Sequence, residues 1–180
     1  HSWDELLEGE SAQYDWPDLD ERAAAAMCYT SGTTGDPKGV VYSHRSIYLH
    51  SFQVTSTSGM GLSNADTSLV IVPMFHAMSW GMPYAALMSG ANILMPDRFL
   101  QPAPLLEMMA AEKPTFAAAV PTIWGGVLAA LAAQPQDISH LRTAVVGGSA
   151  VPPSMMRAFE EKHGVRILHV SGITAAVSAT

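Results

Sequence analysis

Apolar and polar positions along this chain fall into a repeating rhythm of short charge-free runs and longer helical stretches. Ala24–Tyr29 and Val40–Tyr42 read as two strands around a polar glycine loop. His44–Thr57 reads as a helix with Ser43 as its cap, and Leu62–Asp66 as a turn. Thr67–Pro73 carries the successive apolar residues Leu69 to Val72, the pattern of a strand buried on both faces. The spacing then predicts a helix over Trp80–Ser89 closed by Gly90, a strand over Ala91–Met95 and a helix over Pro102–Glu112 that ends before Pro114. Strands Thr115–Ala119, Arg142–Val146 and Val165–Val170 alternate with helices Thr122–Ala133 and Pro153–His163, the latter closed by Gly164.

Strands alternating with helices in this way mean βαβ units. The expected fold class is therefore α/β, a mainly parallel sheet flanked by helices, with right-handed crossovers. Ligands of such sheets collect beyond the carboxyl ends of the strands, so the loops there are the places to look for chemistry. Residues 1–22 stand apart as an acidic lead-in segment with one short helix near Trp3–Glu8, and residues 23–180 form the α/β unit. The start at His1 suggests an incomplete or tag-derived beginning, and no secretory signal opens the chain.

Composition narrows the function classes. The 180 residues are enough for one real core. Only 14% are charged against 48% hydrophobic, so part of the surface is expected to be covered by something else. The formal net charge is -7 and the nine basic residues form no run, which argues against a nucleic-acid partner. The single cysteine, Cys28, excludes an internal disulfide framework and fits a cytoplasmic, reducing compartment. With nothing basic beside it, Cys28 reads as a buried small residue rather than a nucleophile. The charge-free run from Pro114 to Gln136 is long enough for a membrane span, but Pro121 and Gly125-Gly126 interrupt it. Strand, turn and helix explain it better, and no transmembrane span is expected.

The densest chemistry lies in Thr30-Ser31-Gly32-Thr33-Thr34-Gly35, with Lys38 three places on. Such a loop can turn backbone N–H groups and hydroxyls inward as a nest for phosphate oxygens, and Lys38 adds a mobile charge. A plain surface loop is the alternative. A Walker-type loop fails in detail, because Lys38 precedes Gly39, no Gly-Lys-Ser/Thr occurs, and Val40-Val41-Tyr42 is β-like.

Two further loops follow predicted strands. Pro73-Met74-Phe75-His76-Ala77-Met78-Ser79-Trp80 places His76 at a strand end. It can bond a carboxylate or phosphate, or be satisfied by backbone. Gly147-Gly148-Ser149-Ala150 lets a ligand approach the backbone closely, or makes a tight turn into the next helix. Met74, Met78, Met82 and Met88 serve as adaptable core filler, or as a flexible tunnel wall with the first three on one helical face.

The string from Tyr29 to Val40, with Ser43-His44-Arg45 after it, resembles the signature loop of the adenylate-forming superfamily: acyl-CoA synthetases, luciferases and peptide-synthetase adenylation domains. The likeness runs from about Tyr14 to Thr174 and is strongest to medium- and long-chain fatty-acyl-CoA ligases. It implies ATP-dependent activation of a carboxylic acid to an acyl-adenylate and then a CoA thioester, with ATP, Mg²⁺ and CoA as co-reactants. By the same resemblance Thr30, Ser31, Gly32, Thr33, Thr34, Gly35 and Lys38 hold phosphates, with Thr30 near the metal. His169, Ser171, Gly172 and Thr174 belong to the nucleotide's other side. His76 is the catalytic candidate beside the acyl carboxylate. Trp80, Gly147, Gly148, Ser149 and Ala150 line the acyl chain. The expected partner is a small carboxylic or fatty acid, with a homodimer left open.

The resemblance also breaks. The family pattern is aromatic-Gly-x-Thr-Glu, where the aromatic stacks on adenine and the glutamate ligates Mg²⁺. Here Ser171 replaces the aromatic and Ala175 the glutamate. The small domain that carries a catalytic lysine in such enzymes is expected to be absent from residues 1–180, so these residues alone are expected to make no acyl-CoA. The alternative is a non-catalytic fragment or pseudoenzyme that retains the fold and a phosphate-binding loop.

Overall fold

The computed structural model describes residues 2–30 and 36–171. Five parallel strands form the central sheet in the order β4-β3-β5-β6-β7: β3 (Thr67–Val70), β4 (Asn92–Leu94), β5 (Phe116–Ala119), β6 (Thr143–Val146) and β7 (Arg166–His169). In register, Leu69 faces Ala117, Ala118 faces Val145 and Val146 faces His169. The α/β expectation holds. The strands are shorter than their apolar runs, because Ile71 and Val72 stay buried after leaving the ladder.

The three inner strands, β3, β5 and β6, bury both faces. On one side Leu69, Ala117, Ala119, Ala144 and Val146 pack with α5 (Pro102–Glu112), α6 (Pro121–Ala133) and α7 (Pro153–His163). Trp124 is fully buried there. Its indole N–H donates to the Val145 carbonyl at 3.1 Å, and it meets Phe159 edge-on. On the other side Val70, Phe116, Ala118 and Val145 pack with α4 (Met82–Ser89) and with Val54 of α2 (His44–Thr55). Burying each large side chain in these layers is worth about 1.5–3 kcal/mol.

The helix ends follow the sequence signals. Ser43 accepts from the Ser46 N–H at 3.1 Å as the cap of α2. Gly90 and Gly164 close α4 and α7 with φ of 75° and 68°, where a glycine carries no steric cost. The lead-in contributes α1 (Trp3–Leu7), capped reciprocally by Ser2 and Glu5. Among the described residues no helix is long and apolar enough to cross a membrane.

Two features lie beyond the sequence expectation. β1 (Ala24–Thr30) and β2 (Lys38–Ser43) pair antiparallel in a sheet of their own. At the amino ends of the parallel strands, Asp66 accepts from the Thr115 hydroxyl at 2.7 Å, from Ser63, and from Arg142 at 3.0 Å. This cluster ties the lead-ins of β3, β5 and β6 together. Burial pushes the Asp66 carboxyl up, but the bonds from Thr115, Arg142 and Ser63 outweigh it and hold it below its ordinary value.

Candidate functional site

The antiparallel ladder fixes the mouth of the signature loop. Thr30 and Lys38 are register partners in the β1–β2 hairpin, and the Thr30 hydroxyl donates to the Lys38 carbonyl at 3.5 Å. Lys38 is exposed. Ser31, Gly32, Thr33, Thr34 and Gly35 lie outside the described residues, as do Gly172, Thr174 and Ala175. The hairpin's inner face carries Cys28, buried as expected. Its thiol points at the Met74 carbonyl (3.9 Å) and lies 3.4 Å from the Met78 sulfur. Cys28 thereby joins the hairpin to the loop that bears His76. Burial, and then nearby Cys28, pushes the Tyr42 hydroxyl up to about 12 and raises that of Tyr84.

That loop contains the least expected backbone of the chain. Ala77, Met78, Ser79 and Trp80 all have φ between 45° and 55°, and Gly81 follows at 71°. The short turn α3 (Ala77–Trp80) is therefore left-handed, and the right-handed α4 starts only at Met82, not at Trp80 as the pattern predicts. A left-handed residue other than glycine costs roughly 1–2 kcal/mol, so four of them store about 4–8 kcal/mol. Such strain persists only where surrounding contacts fix it. Here Ser79, fully buried, donates its hydroxyl to the Val72 carbonyl. The Ser79 and Gly81 N–H groups close onto the carbonyls of His76 and Met78, each at 3.0 Å. His50 of α2 lies 3.1 Å by its Nε2 from the Trp80 carbonyl. Met74, Met78 and Met82 consequently share no helical face: one is in the loop, one in the left-handed turn and one opens α4.

The turn delivers Trp80 to the carboxyl edge of the sheet. A Cβ at Gly147 would lie 3.2 Å from the Trp80 ring, and only 2.8 Å from the side chain and carbonyl of Val170. A Cβ at Gly148, whose φ is 85°, would lie 3.3 Å from Val120 and 3.8 Å from Trp80. What crowds Gly147 is thus the protein itself. Val120, Gly147 and Val170 extend β5, β6 and β7, and the indole lies against the Gly147–Gly148 segment. Ser149 and Ala150 continue from there as exposed residues.

His76 is exposed and immediately precedes the turn, so the constraint that places Trp80 places His76 too. His169 ends β7 opposite Val146, exposed at the sheet's edge, with Ser171 exposed beyond it. Among the described residues no group of three or more His, Cys, Asp or Glu side chains converges to hold a metal ion. The sequence reading missed His50, Ser79, Val120 and Val170. Val120 had a usable signal in its position one residue past a predicted strand, and Val170 in closing one; His50 and Ser79 had none.

Comparison with known proteins agrees with this geometry. Residues 2–180 match the AMP-binding enzyme family. The chain is 45% identical over 172 residues to the 3-methylmercaptopropionyl-CoA ligase of Ruegeria pomeroyi, covering 96% of this chain and 32% of that protein. It is also 45% identical over 173 residues to the medium-chain-fatty-acid–CoA ligase of Ectopseudomonas oleovorans, with the same coverage. The chain thus spans about a third of the length of these curated relatives. Its fold superposes on a long-chain-fatty-acid-CoA ligase of Archaeoglobus fulgidus with a TM-score of 0.83 and 26% identity, covering 98% of this chain and 37% of that one. The chain belongs to the AMP-binding enzyme family.

Proposed function

We propose that this chain supplies the phosphate-holding and acyl-holding walls of an AMP-forming acid–CoA ligase whose substrate is an alkyl carboxylic acid. The observation that carries the reading is the Trp80 ring against Gly147 and Gly148, on the same turn as His76. In this reading the carboxylate attacks the α-phosphorus of ATP and pyrophosphate leaves. The CoA thiol then attacks the acyl carbon, loses its proton and displaces AMP. Lys38 and Thr30, held side by side at the hairpin mouth, neutralise phosphate charge. His76 orients the carboxylate, and fixing the reactants together supplies much of the rate. Trp80, Val120 and Val170 give the acyl chain an apolar wall.

Magnesium fits this chain less well. Thr30 offers one neutral hydroxyl oxygen, and Ala175 offers no oxygen side chain. A cation in the reaction would therefore be held chiefly by the phosphates. Ser171 and Ala175 favour a second reading, a non-catalytic member that keeps the fold. ATP titrations with and without Mg²⁺ separate the two: the enzyme binds more tightly with the cation, the non-catalytic form shows no such gain. The direct test is thioester formation by the full-length polypeptide from ATP, CoA and a graded series of alkyl acids. Turnover that improves with alkyl length supports the reading. Preference for 3-methylmercaptopropionate over every alkyl acid overturns the choice of substrate, and no turnover with any acid overturns the ligase reading.

A further inference from the structure

We propose that His50 is a positioning residue: it holds the Trp80 ring in place and thereby sets which acids the site prefers. The specificity half of this rests on the acyl-activating reading above; the positioning half does not.

His50 lies midway along α2, half-buried, and its Nε2 is 3.1 Å from the carbonyl of Trp80, thirty residues on. A carbonyl can only accept, so the Nε2 carries the proton. The residue it braces ends a run of four left-handed residues, none of them glycine, asparagine or aspartate. Backbone of that kind needs contacts that over-determine it. Ser79 supplies one, through its hydroxyl to the Val72 carbonyl at the end of β3. His50 supplies another, from a different layer of the fold. The close fit at Gly81 points the same way: a Cβ there would sit 2.3 Å from Cδ2 of the His50 ring. Glycine at that position therefore satisfies both the φ of 71° and the approach of the imidazole. Remove the donor, and the Trp80 carbonyl loses its anchor. The indole that spans the Gly147–Gly148 wall then no longer has one fixed place.

The test uses the full-length polypeptide labelled with 5-fluorotryptophan, the Trp80 fluorine resonance being assigned through Trp80→Phe. His50→Phe keeps a ring and removes the donor; His50→Gln keeps a donor. In His50→Phe the Trp80 resonance is expected to move or split, and the kcat/KM ratio between a long and a short alkyl acid to change roughly fivefold, the scale of one hydrogen bond. The KM for ATP is expected to stay as in the wild type. His50→Gln is expected to restore both the resonance and the ratio. An unmoved Trp80 resonance in His50→Phe overturns the proposal whatever the activity shows. A moved resonance with an unchanged ratio overturns the specificity role. If His50→Phe does not fold, a shifted Trp80 resonance in His50→Gln overturns the donor's role and an unshifted one supports it. A wild type that activates no acid removes the ligase reading instead, and the fluorine resonance then decides the positioning role by itself.

Discussion

A methyl group at Gly147 is the sharpest probe of how the sheet edge is built. In Gly147→Ala the added carbon meets the Val170 side chain and carbonyl at 2.8 Å and the Trp80 ring at 3.2 Å. The carbonyl cannot simply retreat, because the Val170 N–H is bonded to the Val146 carbonyl at 2.9 Å. Either the end of the β6–β7 ladder opens or the indole leaves the wall. Overpacking of this kind costs about 1–3 kcal/mol. In a cooperative unit of roughly 150–250 residues each kcal/mol moves Tm by roughly 2–4 °C, which would give a fall of about 2–12 °C. Gly125→Ala is the matched control. It sits inside α6, and its added carbon finds only the Met155 methyl at 3.6 Å, an ordinary contact. That change is expected to stabilise by about 0.5–1 kcal/mol through helix propensity. Thermal melts read both. A Gly147→Ala variant that melts with the wild type, or a Gly125→Ala variant that falls as far, would falsify the packing argument.

Other outcomes follow from the same contacts. Asp66→Asn removes the charge that Thr115, Arg142 and Ser63 address, at an expected cost of about 1–3 kcal/mol by denaturant titration near neutral pH. Because the folded carboxyl titrates below its ordinary value of 3.8, its contribution is present above that pH and is lost as pH falls through the lower folded value. The gap between wild type and Asp66→Asn should therefore narrow only under strongly acid conditions, and a gap that closes near pH 6 contradicts the account. Ser43→Ala deletes the acceptor of the Ser46 N–H and should cost about 1 kcal/mol, read by the same titration.

Much of this architecture was legible in the residues. Gly90, Gly164 and Ser43 mark helix ends because their backbone chemistry leaves few other uses at those places. The run Leu69–Val72 announces a strand buried on both faces, since no amphipathic alternative fits it. Strand order was not legible: β3, β5 and β6 have similar apolar patterns, and their neighbours are chosen by packing across the sheet. The hairpin's separation from the sheet escaped notice for the same reason, as local pattern does not name a strand's partner. The left-handed turn was hidden more deeply. Ala77-Met78-Ser79-Trp80 contains none of the residues that usually mark positive φ, and all four suit a right-handed helix. Contacts from Ser79, His50 and Cys28 help impose the other hand, and those of His50 and Cys28 are made across long stretches of chain. Trp80 and Gly147 were each singled out by the sequence; that they touch was not.

The central claim is that Lys38, at the mouth of the hairpin, and the Trp80 wall serve one acid-activating reaction. Exchange of labelled pyrophosphate into ATP by the full-length polypeptide tests it most directly, since it reports adenylate formation without CoA. The account predicts exchange only when an alkyl acid is present, reduced about tenfold or more in Lys38→Met, where a charged contact to phosphate is lost. Exchange that proceeds without any acid, or that Lys38→Met leaves intact, would contradict it.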